Sequence, residues 1–327
     1  MRHFTFERAK SVDDAVKAGA QPEAAFLAGG TSLVDLMKLE VLTPLRVVDV
    51  TRLEGLQKIE ARPDGVVLGA LASNTEVAMH PEVRRRLPAL AEALLSGASP
   101  QLRNAATVGG NLLQRTRCAY FRDLATLCNK RLPRSGCDAL EGWTRMHAIL
   151  GVSDQCIAAH PSDMCVALAA LEARVKVRGP QGEREIALAD FHLLPGQHPD
   201  REFALLPGEL VISVFVPATA AAARSRYVKV RDRASYAFAL VSCAAGLELS
   251  GGVIKEARVA LGGVGTRPWR SIEAERALAG RPPGRDAFRE AAELLLAGAQ
   301  PRRDNAFKVE LAKRTVVRAL SLAAEQT

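Results

Sequence analysis

At 327 residues the chain is too long for one ordinary hydrophobic core, so two or three domains are expected, and its 48% hydrophobic and 24% charged residues fit a soluble globular protein. No apolar run reaches the length of a membrane span, and the N-terminus MRHFTFERAKSVDD has no continuous apolar stretch, so no secretory signal of its own is expected. The formal charge of +8 comes with 5% aromatic residues and no nucleic-acid motif, so it points to anionic cofactors or an acidic partner surface and excludes nucleic acid.

In chain order, EAAFLAGGTSLVDLMKLEV reads as a short strand ending at Ala28, a Gly-Gly turn, then a helix with Leu33, Leu36, Met37 and Glu40 at helical spacing. LRVVDV and GVVLGALA are further buried strands. SNTEVAMHPEVRRRLPALAEALLSGAS opens on the N-cap candidates Ser73 and Asn74 and continues with helical periodicity. PQLRNAATVGGNLLQ, rich in small residues, leads into a run of cysteines. HPSDMCVALAALEARVKVRGPQGEREIALADF gives helix, strand, turn, strand, and GELVISVFVP is another strand. The low-complexity ATAAAARSR is the expected domain junction. Beyond it, YVKVRDRASYAFALVSCAAGLEL and VIKEARVALGGV read as strands, and three helical segments close the chain, an α+β pattern.

Two glycine turns carry chemistry. AGGTSL sets Gly29 and Gly30 between strand and helix, with the hydroxyls of Thr31 and Ser32 beside them. Glycine lets backbone approach a ligand closely, and backbone N–H groups there suit a phosphate. ATVGGNLL repeats the pattern with Thr107, Gly109, Gly110 and Asn111. One such turn is equally well a tight bend without a ligand; two converging ones could wrap a dinucleotide. Neither has the spacing of a Rossmann or P-loop fingerprint.

FLAGGTSLVDLMK, QLRNAATVGGNLL and HPSDM together resemble the flavin-binding signatures of the molybdenum-hydroxylase family, in its separate FAD-binding subunit. The resemblance spans essentially the whole chain. It implies a two-part FAD-binding domain of the PCMH/vanillyl-alcohol-oxidase-like type over 1–218, with subdomains of roughly 1–60 and 61–218. A C-terminal α+β domain of the CO dehydrogenase flavoprotein type would follow over 222–327. It also implies site residues. Ala25, Phe26, Leu27, Ala28, Gly29, Gly30, Thr31, Ser32 and Leu33 would hold the FAD pyrophosphate, and Thr107, Gly110 and Asn111 would supply the second clamp. Asp163, with Ser162, would accept hydrogen bonds from the ribose or nearby hydroxyls. Val211 and Ile212 would pack near the flavin ring, Lys229 would lie at its polar edge, and Tyr236 would stack close to the ring.

Four of the six cysteines fall between Cys118 and Cys156, the others being Cys128 and Cys137. No Cys-x2-4-Cys knuckle of structural zinc and no ferredoxin spacing is present. Loops carrying Pro133, Gly136 and Gly142 could bring four thiolates around a cluster. Arg115, Arg117, Arg122, Lys130, Arg131, Arg134 and Arg145 outnumber Asp123, Asp138 and Glu141 here, which favours a negatively charged [4Fe–4S] cubane over zinc. Cys165 and Cys243 sit in apolar periodic runs and read as core. An insertion at about 114–157 resembles that of the [4Fe–4S]-containing flavin subunits of bacterial periplasmic aldehyde oxidoreductases, and less closely that of hydroxybenzoyl-CoA reductases. The resemblance assigns the ligands as Cys118, Cys128, Cys137 and Cys156.

The chain has no plausible domain for a molybdenum pterin. The resemblance therefore implies a heteromer with a large molybdopterin-binding subunit and a small [2Fe–2S] subunit. This chain would pass electrons through FAD to a quinone, ferredoxin, oxygen or NAD, with aldehydes as the leading substrate class and purines next. No acid, base or nucleophile is assigned here. A complex exported on a partner's signal would place it in the periplasm; otherwise it stays in the cytoplasm. A stand-alone flavoprotein oxidase and a zinc-stabilised binding module are the rival readings.

Overall fold

The computed structural model describes residues 1–325; residues 326 and 327, the end of the expected C-terminal domain, lie outside it. Three sheets organise the fold. The first is parallel, in the order β1-β3-β2, from β1 (Thr5–Arg8), β2 (Ala24–Leu27) and β3 (Arg46–Asp49). Helices Val12–Gly19 and Leu33–Lys38 are its crossovers, as parallel pairing requires. Ser11 caps the first of them by accepting the Asp14 N–H at 3.1 Å.

The second sheet is antiparallel, in the order β4-β5-β8-β6-β7. Its strands are β4 (Ile59–Arg62), β5 (Gly65–Gly69), β6 (Arg174–Gly179), β7 (Gly182–Ala187) and β8 (Leu210–Pro217). In β6 Val175 and Val177 are fully buried while Arg174 is exposed, the alternation of a sheet with one covered face. That face packs against helices Pro88–Ser96 and Asp163–Ala170. In the latter every residue from Met164 to Ala170 is buried, because the helix lies between the second and third sheets.

The third sheet is antiparallel, in the order β12-β11-β10-β9, from β9 (Ser225–Val230), β10 (Val241–Ser250), β11 (Val253–Gly262) and β12 (Trp269–Arg270). Ala244 of β10 joins the core of the second sheet, while Cys243, Ala245 and Leu247 join the core under helices Arg285–Leu295 and Phe307–Glu325. Burial on both faces explains why VSCAAG reads as a continuous apolar run. The mixed helix and sheet content matches the expected α+β class.

One helical stretch differs from its expectation. Residues 74–96 form three helices, Asn74–Met79, Pro81–Arg86 and Pro88–Ser96. His80 and Leu87 precede prolines and leave the helical region, with ψ of 127° and 50°, since proline disfavours the α conformation before it.

Candidate functional site

The two glycine turns meet. A Cβ placed on Gly29 would lie 1.9 Å from the carbonyl oxygen of Ala105, so the first turn sits directly on backbone leading into the second. Gly30 adopts φ +71°, where a side chain is strained. In the second turn Thr107 caps helix Val108–Leu112, its Oγ1 accepting the Gly110 N–H at 3.2 Å. The turn is tied to the end of β5 by Gly109 N–H to Ala70 O at 2.8 Å and Val108 N–H to Ala72 O at 3.0 Å.

Between the turns and the third sheet lies a cleft of about 800 Å³. Its lining carries Arg103, Arg117, Arg122, Lys229 and Arg233 against Asp35, Asp163 and Asp232, an excess of positive charge suited to a diphosphate. Asn74 Oδ1, Arg117 Nε and Arg122 Nη1 are buried there without a protein partner. Buried polar atoms left unpaired are costly, and a polar ligand in the cleft would satisfy them.

At one end the cleft is closed by a linked set of side chains. Ser162 caps helix Asp163–Ala170 by accepting the Cys165 N–H, and it donates to Asn111 Oδ1 at 2.7 Å. Gln114 Nε2 also donates to Asn111 Oδ1, at 2.5 Å, which leaves the Asn111 NH2 as its free polar group. Asp163 accepts from Tyr227 OH at 2.6 Å and from Lys229 Nζ at 2.8 Å. Lys229 also donates to Ser96 O at 3.0 Å, and its side chain is 4% exposed. Burial, followed by the adjacent Asp163 carboxylate, holds the Tyr227 hydroxyl well above the ordinary phenol range.

Of the residues named from the sequence, Thr31, Ser32, Gly110, Asn111, Asp163, Lys229 and Tyr236 line the cleft. Tyr236 is 56% exposed, with φ +52° and its carbonyl held by the Arg233 guanidinium. Ala25, Phe26 and Leu27 lie in half-buried β2, Ala28 follows it into the first turn, and Leu33 opens the helix behind it. Gly29 and Gly30 shape the turn, Thr107 is a buried cap, and Ser162 lines an adjoining cavity.

Val211 and Ile212 lie outside the lining of the cleft. Strand β8 runs between β5 and β6, so Val211 is buried in the core of the second sheet. Ile212, like Phe26 and Ala28, packs against the core of the first sheet. Tyr227 and Arg103 were not singled out in the sequence, and Asn74 was named only as a cap candidate. Tyr227 had a readable signal, because it lies two residues before Lys229 on one strand and so shares its face.

The four loop cysteines converge as free thiols, with no disulfide. Cys128 and Cys137 face each other in an isolated antiparallel bridge. Side chains hold the loops: Ser135 Oγ accepts the Cys128 N–H at 3.2 Å, Asn129 Oδ1 accepts the Gly136 N–H at 2.8 Å, and Ser153 Oγ accepts the Cys156 N–H at 3.2 Å. Burial first, then the neighbouring sulfurs, pushes Cys118 up to about 12 and Cys137 up to about 11, and Cys156 is raised as well. His147 Nε2 lies 3.2 Å from the Cys118 sulfur.

Among the described residues, only His160, Cys165 and His192 bring three candidate ligand atoms within 4.8 Å of one another. The loop thiols are therefore spread wider than the sulfurs around a single zinc ion, which sit about 3.8 Å apart for bonds of about 2.3 Å. Few of the nearby cations reach the thiols. Lys130 and Arg115 act electrostatically on the thiols, and both pair with Glu202. Arg117 and Arg122 turn to Asp35 in the cleft, Arg145 pairs with Asp232, and Arg131 donates to the carbonyls of Tyr120, Phe121 and Thr126.

The family described as FAD binding domain in molybdopterin dehydrogenase matches residues 2–219, and the CO dehydrogenase flavoprotein C-terminal domain matches residues 226–323. Over 329 aligned residues the chain is 50% identical to the aldehyde oxidoreductase FAD-binding subunit PaoB of Escherichia coli K12, covering 100% of both chains. It is 28% identical to the carbon monoxide dehydrogenase medium chain of Hydrogenophaga pseudoflava, over 98% of this chain and 96% of that one. The solved carbon monoxide dehydrogenase of Hydrogenophaga pseudoflava lacking the Mo-pyranopterin moiety superposes with a TM-score of 0.77 at 27% identity, over 99% and 98% of the two chains. Quinoline 2-oxidoreductase from Pseudomonas putida 86 gives 0.76 at 25% identity, over 99% of each.

An FAD-sized, positively lined cleft on this fold defines a flavoprotein oxidoreductase subunit. The chain belongs to the FAD-binding subunits of the heteromeric molybdenum hydroxylases. Its buried, unpartnered polar atoms and its paired glycine turns fit FAD in the cleft.

Proposed function

We propose that this chain carries a [4Fe–4S] cluster on Cys118, Cys128, Cys137 and Cys156 beside its FAD, and serves a complex that oxidises aldehydes to carboxylic acids. The observation that carries the cluster is the convergence of four free, partly buried thiols from separate loops at wider than single-ion spacing. The aldehyde substrate class rests on the full-length 50% identity to a protein named as an aldehyde oxidoreductase subunit.

FAD supplies chemistry that takes electrons one at a time and releases them in pairs. The protein's own part is to bind and orient. The glycine turns and the cleft cations hold the diphosphate. Asn111 presents its NH2, and the Tyr227–Asp163–Lys229 set fixes the charge at the polar end. Lys130 and Arg115 offset the negative charge gathered by the thiolates.

Electrons come from a large molybdopterin-binding subunit by way of a small [2Fe–2S] subunit, and leave to an external acceptor. The complex works in the periplasm when a partner supplies the export signal, and in the cytoplasm otherwise; fractionation of cells producing the tagged complex decides between them. No helix among the described residues is long and apolar enough to cross a membrane. The test of the cluster is Cys128→Ser. Iron and acid-labile sulfide should fall by one cubane per chain while FAD stays bound. Unchanged iron would remove the cluster from the reading.

A further inference from the structure

Beside the FAD cleft lies a second cavity of about 640 Å³, whose lining includes Ser162 and Asp163 of the FAD reading. It shares Arg117, Met146, Pro161, Asp163 and Phe238 with the cleft, so the two are neighbours across one wall. Cys118, next to Arg117 in the chain, also lines it. Tyr120, Trp143 and Phe238 give it aromatic surfaces, and Trp143, 72% exposed, stands where the cavity meets solvent.

The charge of this cavity is internally matched. Its cations are Arg117 and Arg145, and each is engaged, with Asp35 at 3.4 Å and Asp232 at 2.7 Å. Its acids are Asp123 and Asp163. A nucleotide diphosphate entering here would meet only cations already paired with carboxylates and would approach Asp123, whereas Asp163 is offset by Lys229. A neutral, flat ligand meets neither obstacle and gains aromatic contact on its faces. A donor is also in place. The Tyr120 hydroxyl accepts the Trp143 backbone N–H at 2.7 Å, which leaves its own proton to give to a carbonyl.

We propose that this cavity docks the terminal electron acceptor, and that the acceptor is a neutral planar quinone. The proposal rests on the flavin electron-transfer reading and names the acceptor class for it. The redox balance is simple. Two electrons pass across the shared wall from reduced flavin, whose N1 and N5 protons are released to solvent, and two protons enter from solvent on the Trp143 side. Both quinone C=O groups become C–O–H, the ring becomes aromatic, and the flavin is returned oxidised.

The test uses the anaerobically purified complex with its FAD and iron contents measured first. The redox-inert quinone mimic 2-heptyl-4-hydroxyquinoline N-oxide is titrated into the oxidised complex, and quenching of its fluorescence gives Kd. Binding should saturate at one site per FAD and be displaced by menadione but not by NAD⁺. Trp143→Ala should raise Kd about tenfold, the loss of one aromatic contact surface, and Trp143→Phe should restore most of it. The ratio of menadione to ferricyanide turnover should fall in the Ala variant. Absence of saturable binding, an unchanged Kd in Trp143→Ala, or displacement by NAD⁺ would each overturn the proposal. Bleaching of the flavin by aldehyde without added acceptor reports electron entry separately, so its failure counts against the reading of the complex and not against this cavity.

Discussion

Gly29→Ala should separate FAD binding from everything else the chain does. The new methyl would start 1.9 Å from the Ala105 carbonyl oxygen and 2.7 Å from its carbon, whereas ordinary contact begins near 3.4 Å. The two turns must therefore part by about 1.5 Å at that point, from 1.9 to 3.4 Å. Ala105 cannot easily give way. It ends helix Pro100–Ala105, and the next residue is pinned by Ala106 N–H to Leu102 O at 2.7 Å and by Asn74 N–H to Ala106 O at 2.8 Å. Overpacking of this kind costs about 1–3 kcal/mol. Hydrogen bonds from both turns to one diphosphate cannot follow a shift that large, so FAD affinity should fall about 10- to 100-fold. The assay is the FAD-to-protein ratio after desalting, with iron measured on the same sample. Gly280→Ala is the control, since its positive φ (+77°), which Gly29 lacks, strains an added methyl by conformation alone, in open space and outside the cleft lining. Full retention of FAD by Gly29→Ala, or equal loss in the control, would refute the reasoning.

Tyr227→Phe removes the 2.6 Å bond to a nearly buried carboxylate and should destabilise the chain by about 1–3 kcal/mol, read as a lower urea midpoint at unchanged slope. Lys229→Met alone should cost more than Lys229→Met combined with Asp163→Asn, because the single change strands a buried charge. A double-mutant cycle giving no coupling would contradict the pairing. His192, whose Nε2 lies 3.0 Å from Leu112 O in the second turn, is lowered to about 4 by burial, and neighbouring His160 is lowered well below its ordinary value. Below about pH 6.5 the unfolded chain binds protons that the folded chain refuses, so stability should fall as pH drops from 6.5 toward 4. His192→Gln should flatten part of that slope in pH-dependent urea unfolding.

Where a segment's chemistry is local, the sequence was informative. The glycine turns and the apolar run around Cys243 follow from residues in place. The misses have physical causes. Thr5–Arg8 and Ile59–Arg62 are mostly exposed edge strands without clean alternation, and Trp269–Arg270 is only a two-residue strand, so none announced itself. The helical periodicity over 74–96 runs across Pro81 and Pro88, and each proline opens a new helix. Val211 and Ile212 were assigned by resemblance. Their strand's position between β5 and β6 is set by long-range pairing that no local pattern carries. The cysteine run was readable as loops, yet its charge was not. Of seven cations there, only Lys130 and Arg115 act on the thiols, and the others serve the cleft, a loop staple or the surface.

The most direct measurement is elemental and spectroscopic. This subunit, purified without oxygen, is assayed for FAD, iron, acid-labile sulfide and zinc alongside its visible spectrum. One FAD with about four irons and about four sulfides, and no zinc, is the predicted composition. Stoichiometric zinc, or FAD without sulfide, would contradict the assignment of the four thiols.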